Sequence, residues 1–182
     1  DGAWLSSLEV QMAESAVAVS AARLAAISTL ARHVAQSEHH GPFPWAALSI
    51  TGAMEDLVMQ HPAVEAEDIY RRDLARGRSA DRAAGRALAG PHRSDLHVVH
   101  GPKAMPAEFC STGEQKALLI GLILAQARAA KSLFGASPML LLDEIAAHLD
   151  PARREALFRL LETLGSQVFM TGTEASLFDG AG

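Results

Sequence analysis

The first fifth of the chain has the hydrophobic periodicity of a long helix. Between Trp4 and Ser37 the sequence contains neither proline nor glycine and is rich in alanine, which favours helix. Its apolar residues recur at helical spacing; they are Leu5, Leu8, Met12, Val19, Leu24, Ile27, Leu30 and Val34. One such helix would be ~50 Å long. The pattern therefore predicts either a protruding arm or a broken pair of helices, ending at Gly41-Pro42.

Shorter elements follow, and the second half of the chain alternates helices with strands. In chain order the predicted elements are a strand at 43–50, helices at 54–60 and 65–76, a turn at 90–93, a strand at 96–100, a helix at 114–134, a buried strand at 139–142, a helix at 151–164 and a strand at 168–170. Helix–strand–helix–strand order is typical of a parallel sheet covered by helices. The predicted fold class is α/β.

Composition excludes several classes of protein. The chain is 49% apolar and 20% charged, which is globular and not disordered. Its single cysteine, Cys110, excludes a disulfide framework and a thiolate zinc site and fits a reducing, cytoplasmic compartment. The longest apolar run, residues 117–127, is shorter than the ~20 residues of a membrane span, so no membrane partner is expected. The chain does not begin with Met, which suggests a part of a longer protein.

Charge is concentrated in one block. The net charge of −5 argues against a uniformly basic nucleic-acid binder, yet residues 71–93 hold seven arginines against two aspartates. The block is either a footprint for a phosphate backbone or a solvated helix face. The candidate DNA contacts are Arg71, Arg72, Arg76, Arg78 and Arg82.

The strongest chemical signal is an apolar strand that ends in Asp143-Glu144. This places two carboxylates at the carboxyl edge of a sheet, where ligands bind in open α/β folds. In nucleoside triphosphatases the first acid helps to hold Mg²⁺, and the second can orient and activate a water. The alternative is that one of them caps a helix.

A second signal is the run Ser111-Thr112-Gly113-Glu114-Gln115-Lys116 before a helix. Small residues let a phosphate approach the free N–H groups and positive dipole end of a helix. The alternative is an ordinary Ser cap followed by Glu. The segment Ala146-Ala147-His148-Leu149-Asp150 follows the two acids, and Thr171-Gly172-Thr173 follows the last strand. Their order is that of the second half of an ABC-type ATPase head: signature, Walker B strand, D-loop and switch strand.

On these motifs the chain resembles the RecF family of bacterial DNA replication and repair proteins, relatives of the SMC ATPases. The resemblance is tightest in residues 90–96, 110–116, 141–150 and 170–174. Transporter-type heads usually carry two glycines in the signature and a His on the switch strand. Here Thr112 replaces one glycine and threonines occupy the switch, as in RecF, which counts against a transporter ATPase.

The resemblance implies roles for the site residues. Ser111, Thr112, Gly113 and Glu114 would form the signature that contacts the γ-phosphate of ATP held by a second subunit. Asp143 would serve Mg²⁺, and Glu144 would be the catalytic carboxylate. Asp150 and His148 would belong to the D-loop, and Thr171 and Thr173 would sense the γ-phosphate. Residues 1–88 would form a helical lobe and residues 89–182 the C-terminal part of the head.

The resemblance also implies partners. These are ATP with Mg²⁺, DNA at single-strand/double-strand junctions, a second copy in an ATP-dependent homodimer, and recombination mediators such as RecR, with a part in the SOS response. No Gly-x-x-x-x-Gly-Lys-Ser/Thr motif occurs in the chain, and in the family this P-loop lies near the N-terminus. The longer protein would be a weak ATPase and the isolated chain inactive.

Two alternatives stay open. One is an SMC-like head fragment, which would need long heptad arms. The other is a non-catalytic module that dimerises and docks partners. The histidines His39, His40, His97 and His100 lack the spacing of a metal site.

Overall fold

The computed structural model describes residues 2–35, 42–145 and 149–180. In chain order its helices and strands are α1 (Gly2–Ala35), β1 (Ala46–Thr51), α2 (Ala53–Gln60), α3 (Ala63–Ala84), β2 (Asp95–His100), β3 (Met105–Pro106), α4 (Thr112–Phe134), β4 (Leu140–Leu142), α5 (Pro151–Leu164) and β5 (Val168–Met170). The fold is a helix-rich α/β fold with a parallel strand pair. The predicted fold class is therefore confirmed.

The first helix is continuous over its 34 residues, so the alternative of a broken pair is wrong. Its predicted end at Gly41-Pro42 falls partly on residues 36–41, which lie outside the described residues. Helix α3 extends eight residues beyond the predicted 65–76, to Ala84. Gly77 does not interrupt it, and the helix ends where Gly85 takes the left-handed conformation with φ of 66°.

The described chain forms two compact units. One comprises Asp1–Ser28 with Leu48–His97, and the other comprises Thr29–Ala47 with Val98–Gly182. These are not the two consecutive segments 1–88 and 89–182 of the sequence analysis, because the chain passes between the units within α1, β1 and β2. The assignment of a lobe and a half head to parts of the chain stays a prediction.

In the first unit, α1 packs through small side chains. Ala13, Ala16 and Val17 are buried with Met54 and with residues of α3, which are Ala66, Tyr70 and Leu74. Alanines let the helices approach closely, and the apolar area removed from water stabilises the packing. A buried acid of α1, Glu9, accepts two hydrogen bonds from Arg78 at 2.5 and 2.6 Å. An ion pair therefore joins α1 to α3.

In the second unit, one face of β4 enters the core. Leu140 and Leu142 are buried among side chains of α4 and α5, whereas Leu141 between them is 75% exposed and Met139 is 59% exposed. The strand predicted as buried at 139–142 is present at Leu140–Leu142 and is buried on one face only. Side chains alternate across a strand, and in the described residues helices cover one face of the pair.

The strands form two sheets. In one, the order is β1-β2-β3, with β2 antiparallel to β3 and Val99 opposite Pro106. In the other, β4 is parallel to β5 with Leu140, Leu141 and Leu142 opposite Val168, Phe169 and Met170. The two-residue strand β3 was not predicted, since it carries no periodicity.

By length and mean hydropathy alone, α1 and α4 would reach across a bilayer, although no continuous apolar run in them is that long. Core helices of water-soluble folds pass the same test. The buried face of α4, with Ala117, Ile120 and Leu124, belongs to the core of the second unit.

Candidate functional site

The parallel pair brings the ends of β4 and β5 to one edge. The ladder continues one residue further, where the Thr171 amide donates to the Leu142 carbonyl oxygen at 3.1 Å. Thr171 Oγ1 donates to Asp143 Oδ1 and accepts from the Glu144 amide at 3.0 Å. Three of the predicted site residues, Asp143, Glu144 and Thr171, are thus joined through one hydroxyl group.

Glu144 has an unusual backbone conformation. Its φ of 49° lies in the left-handed region, which non-glycine residues adopt rarely and which costs on the order of 1–3 kcal/mol. The side chains of Asp143 and Glu144 are exposed, and neither is the N-cap of a described helix. A strained turn that presents two carboxylates to solvent is a feature that clusters at functional sites.

The helix after this turn is capped by Asp150. Its Oδ1 accepts from the Arg153 amide at 2.9 Å, and its Oδ2 lies 3.7 Å from Arg153 Nε. Pro151 occupies the first turn, as the sequence predicts. The carboxylate of Asp150 therefore has a local structural role, and its D-loop role stays a prediction. Residues 146–148, with the predicted His148, lie outside the described residues.

The predicted signature forms a complete capping box at the start of α4. The Glu114 amide donates to Ser111 Oγ at 3.4 Å, and the Ser111 amide donates back to Glu114 Oε2 at 3.0 Å. Lys103 Nζ pairs with Glu114 Oε1. The hydrogen bond from Lys103, followed by those from Ser111, lowers the pKa of Glu114 to about 2. Glu114 is therefore an anion throughout the physiological range.

The two residues after the cap are open to solvent. Thr112 and Gly113 are exposed, and a Cβ added at Gly113 would meet no heavy atom within 4 Å. Packing therefore does not require glycine here. The first helical bond is donated by the Gln115 amide to the Ser111 carbonyl oxygen. The N–H groups of Thr112 and Gly113 precede it and belong to the unsatisfied first turn of the helix.

Sequence reasoning missed the role of Gln115. Its side-chain amide donates to the carbonyl oxygens of Ala107 and Cys110, at 2.9 and 3.2 Å. These bonds fasten the 3₁₀ turn Ala107–Phe109 to α4 and so fix the chain that enters Ser111. Cys110 is buried, as expected, and Lys116 is exposed. A glutamine directly after a capping box was the available signal.

In the segment that follows β5, Thr173 is exposed, whereas packing requires a glycine at Gly172. A Cβ at Gly172 would lie 2.8 Å from the Phe178 ring. The ring belongs to the 3₁₀ helix Ala175–Phe178, which therefore lies directly against the loop. Of the two predicted sensor threonines, Thr171 contacts the Asp143 carboxylate and the Glu144 backbone amide.

The residues present fit Mg²⁺ only in part. Asp143 offers carboxylate oxygens beside a hydroxyl, which are the ligands that Mg²⁺ prefers. Within residues 2–35, 42–145 and 149–180, no group of three or more His, Cys, Asp or Glu could hold a metal. One carboxylate with phosphate oxygens is a usual Mg²⁺ environment, so Asp143 is compatible with a metal brought by a nucleotide.

The arginine block divides into two kinds of residue. Arg78 is committed to buried Glu9, and the hydrogen bond from Arg78 lowers the pKa of that acid. Arg71 and Arg76 form exposed pairs with Asp68 and Asp73 on the same helix. Arg72 and Arg82 are accessible too. Four of the five predicted DNA contacts are thus accessible, whereas Arg78 is engaged within the fold.

The segment 90–96, which carries part of the resemblance, is held by a buried carboxylate. Glu55 is fully buried, accepts from Ser94 Oγ at 2.5 Å and lies 3.6 Å from Arg23 Nη1. The same guanidinium donates to the Pro91 carbonyl oxygen at 2.5 Å. These contacts give the segment a structural role in the first unit.

Comparison with known proteins identifies the family of the chain. The family model described as "AAA domain, putative AbiEii toxin, Type IV TA system" matches residues 20–171. "DNA replication and repair protein RecF" of Mesorhizobium japonicum is 56% identical over 178 residues, which are 98% of this chain and 47% of the relative. The chain belongs to the RecF family. The RecF proteins of Brucella abortus and Rhizobium rhizogenes are 55% and 52% identical.

The RecF fold is also evident from solved structures. The structure described as "Structure of the recombination mediator protein RecF-ATPrS in RecFOR pathway" has a TM-score of 0.78 at 18% identity, covering 96% of this chain and 46% of that one. A structure of RecF-ATP has a TM-score of 0.75 at 17% identity and covers 93% and 45%. The chain spans about half the length of the RecF relatives that it matches.

Proposed function

We propose that the chain is part of an ATP-dependent switch that acts in bacterial DNA replication and recombinational repair. Its support is membership of the RecF family together with the Asp143–Thr171–Glu144 cluster at the carboxyl edge of a parallel strand pair. That cluster is the observation that carries the proposal, because it joins two strand ends that are remote in sequence and leaves both carboxylates exposed.

We assign a role to each of the three residues of this cluster. Bound Mg²⁺ would neutralise charge on the phosphates of ATP. The Asp143 carboxylate would hold it, and the hydroxyl of Thr171 keeps that carboxylate oriented. Glu144 would accept a proton from, and so orient, the attacking water. The chain has no P-loop motif and supplies only part of such a site, so the isolated chain should not turn ATP over.

The start of α4 would serve a second copy of the protein. The exposed N–H groups of Thr112 and Gly113 and the hydroxyl of Ser111 suit an anion at the positive end of the helix dipole. They would contact the γ-phosphate of ATP that the partner copy binds. Asp150 and His148 would belong to the D-loop across the same interface, and Thr173 would sense the γ-phosphate. ATP binding would close the dimer, and hydrolysis would open it.

The DNA assignments are the furthest step. The accessible arginines Arg71, Arg72, Arg76 and Arg82 would contact the phosphate backbone, at single-strand/double-strand junctions. Recombination mediators such as RecR would be partners. The protein would act in the cytoplasm and take part in the SOS response. The relatives are named for DNA replication and repair, and both solved structures are described as a recombination mediator protein.

The test is Glu144→Gln in a full-length protein that carries this chain. We expect unchanged ATP affinity, a dimer that persists in ATP, and turnover reduced by at least about a hundredfold, which is the usual contribution of a general base. Measurements are nucleotide binding, mass in solution and phosphate release. The control is Glu162→Gln, an exposed acid of α5. Loss of the ATP-dependent dimer in Glu144→Gln would refute the assignment.

A further inference from the structure

Lys103 lies outside every motif of the sequence analysis, yet it contacts the predicted signature. We propose that Lys103 is a positioning residue, which neutralises and fixes Glu114 so that a phosphate of nucleotide bound by a second copy can approach Ser111. The proposal rests on the signature role given above and adds a residue to that site.

The geometry divides the two oxygens of Glu114 between different tasks. Oε1 pairs with Lys103 Nζ. Oε2 accepts from the Ser111 amide at 3.0 Å and from Ser111 Oγ at 2.9 Å. Lys103 therefore holds the carboxylate that in turn orients the hydroxyl group. To donate to a phosphate, that hydroxyl must turn away from Oε2, and Lys103 keeps Glu114 in place when it does.

Charge gives Lys103 a second task. With its pKa at about 2, Glu114 carries a full negative charge at neutral pH, and its Oε2 lies 2.9 Å from Ser111 Oγ, where the phosphate would bind. Two anions at such a distance repel each other appreciably at the surface of a protein. The ammonium group makes the pair neutral, and the same hydrogen bond raises the pKa of Lys103. A phosphate then meets the helix dipole without the opposing carboxylate.

The surrounding backbone directs Lys103 to this place. It ends the 3₁₀ turn Gly101–Lys103, and the next residue, Ala104, has a left-handed φ of 49°. Such a conformation is uncommon for alanine. The side chains of Lys103 and Glu114 are 48% and 25% exposed, and ion pairs this accessible contribute little to stability. A large effect of replacing Lys103 would therefore not come from unfolding.

The experiment measures the ATP-dependent dimer of a full-length protein that carries this chain, by mass in solution over a range of concentrations. Lys103→Met should weaken the dimer at least about tenfold through the uncompensated charge, with unchanged ATP affinity and thermal midpoint. Lys103→Arg should retain the dimer. Lys103→Met with Glu114→Gln should restore it, because glutamine keeps the capping box without the charge.

Each other outcome overturns the proposal in an identifiable way. A normal dimer in Lys103→Met would show that Glu114 needs no compensation. A weak dimer that the double variant does not restore would mean that Lys103 contacts the phosphate itself. Ser111→Arg separates this failure from that of the proposed function. If Ser111→Arg still dimerises on ATP, the signature assignment is wrong and the role of Lys103 falls with it.

Discussion

Two clusters of polar side chains, one in each unit, differ in whether their carboxylates are buried and paired or exposed to solvent. In the first unit Glu55 is fully buried, and Arg23 and Ser94 surround it. In the second unit Asp143 and Glu144 are exposed, and only the hydroxyl of Thr171 links them. The first carboxylate faces the protein, whereas the other two face solvent.

Two glycines, one beside the buried Glu55 cluster and one at the start of α4, differ in how closely they are packed. A Cβ at Gly52 would lie 2.5 Å from Ser94 Oγ and also against Glu55, so the fold itself requires that glycine. Gly113, at the predicted phosphate contact, has open space around it. Packing therefore accounts for the glycine at position 52 but not for the one at position 113, where the proposed phosphate contact would favour a residue without a side chain.

The largest stability effect is expected at the buried cluster. Glu55→Gln would weaken charge-assisted hydrogen bonds and leave Arg23 without its ion pair, at a cost of about 2 kcal/mol. Urea unfolding of the chain measures it. The control, Glu162→Gln on the exposed face of α5, should stay within ~0.5 kcal/mol of the parent. A cost that small for Glu55→Gln would break the contrast between the clusters.

The same carboxylate should show in acid. Burial opposes the charged form of Glu55, but its hydrogen bonds, that from Ser94 first, together with the charge of Arg23 outweigh it, and its pKa is lowered. A lowered pKa in the folded state stabilises the protein above the unfolded value, near 4.5, and this contribution is lost as the pH falls through the folded value. The difference in the free energy of unfolding between the parent and Glu55→Gln should therefore become smaller as the pH falls from about 4.5 through the folded pKa of Glu55.

Sequence reasoning found the elements with local signals and missed the contacts between remote residues. Helix α5 was predicted with its observed bounds, and Pro151 marked its start. The strand pair at the site followed from short apolar runs. The Glu55 cluster had no such signal, because Arg23, Glu55 and Ser94 are far apart in sequence. The exposure of Leu141 was missed because a four-residue apolar run does not reveal which face is covered.

Helix α3 carries arginines that are engaged within the fold and arginines that are accessible. This allows a test whose expected effect is intermediate in size. Arg78 is held by Glu9, whereas Arg72, Arg76 and Arg82 are accessible. Each phosphate contact contributes about −0.9 to the salt slope on duplex DNA. Replacing Arg72, Arg76 and Arg82 together by Gln should reduce the slope by up to about 3 if they bind DNA. Affinity measured across salt concentrations checks this.

The matched control removes the same charge elsewhere, from Arg32, Arg154 and Arg159. If both triple variants lower the slope equally, the effect is one of net charge and not of a DNA surface on α3. An unchanged slope in the α3 variant would leave the arginine block as a solvated helix face.

The smallest stability effect is expected at Gly113, and it separates packing from ligand binding. The thermal stability of the chain and the strength of the ATP-dependent dimer should change in opposite directions. Gly113 lies in the first turn of α4, and a Cβ added there would have no heavy atom within 4 Å. Gly113→Ala should therefore stabilise the chain by up to about 1 kcal/mol, since alanine loses less backbone freedom in a helix. The same methyl group would stand where a phosphate must approach the N–H groups of the helix start. We expect a higher thermal midpoint of the chain together with a weaker ATP-dependent dimer of the full-length protein. Gly77→Ala in α3, where the nearest atom to an added Cβ is 3.9 Å away, should raise stability by a similar amount and leave the dimer unchanged. If Gly113→Ala also leaves the dimer unchanged, the start of α4 is a helix cap and not a phosphate contact.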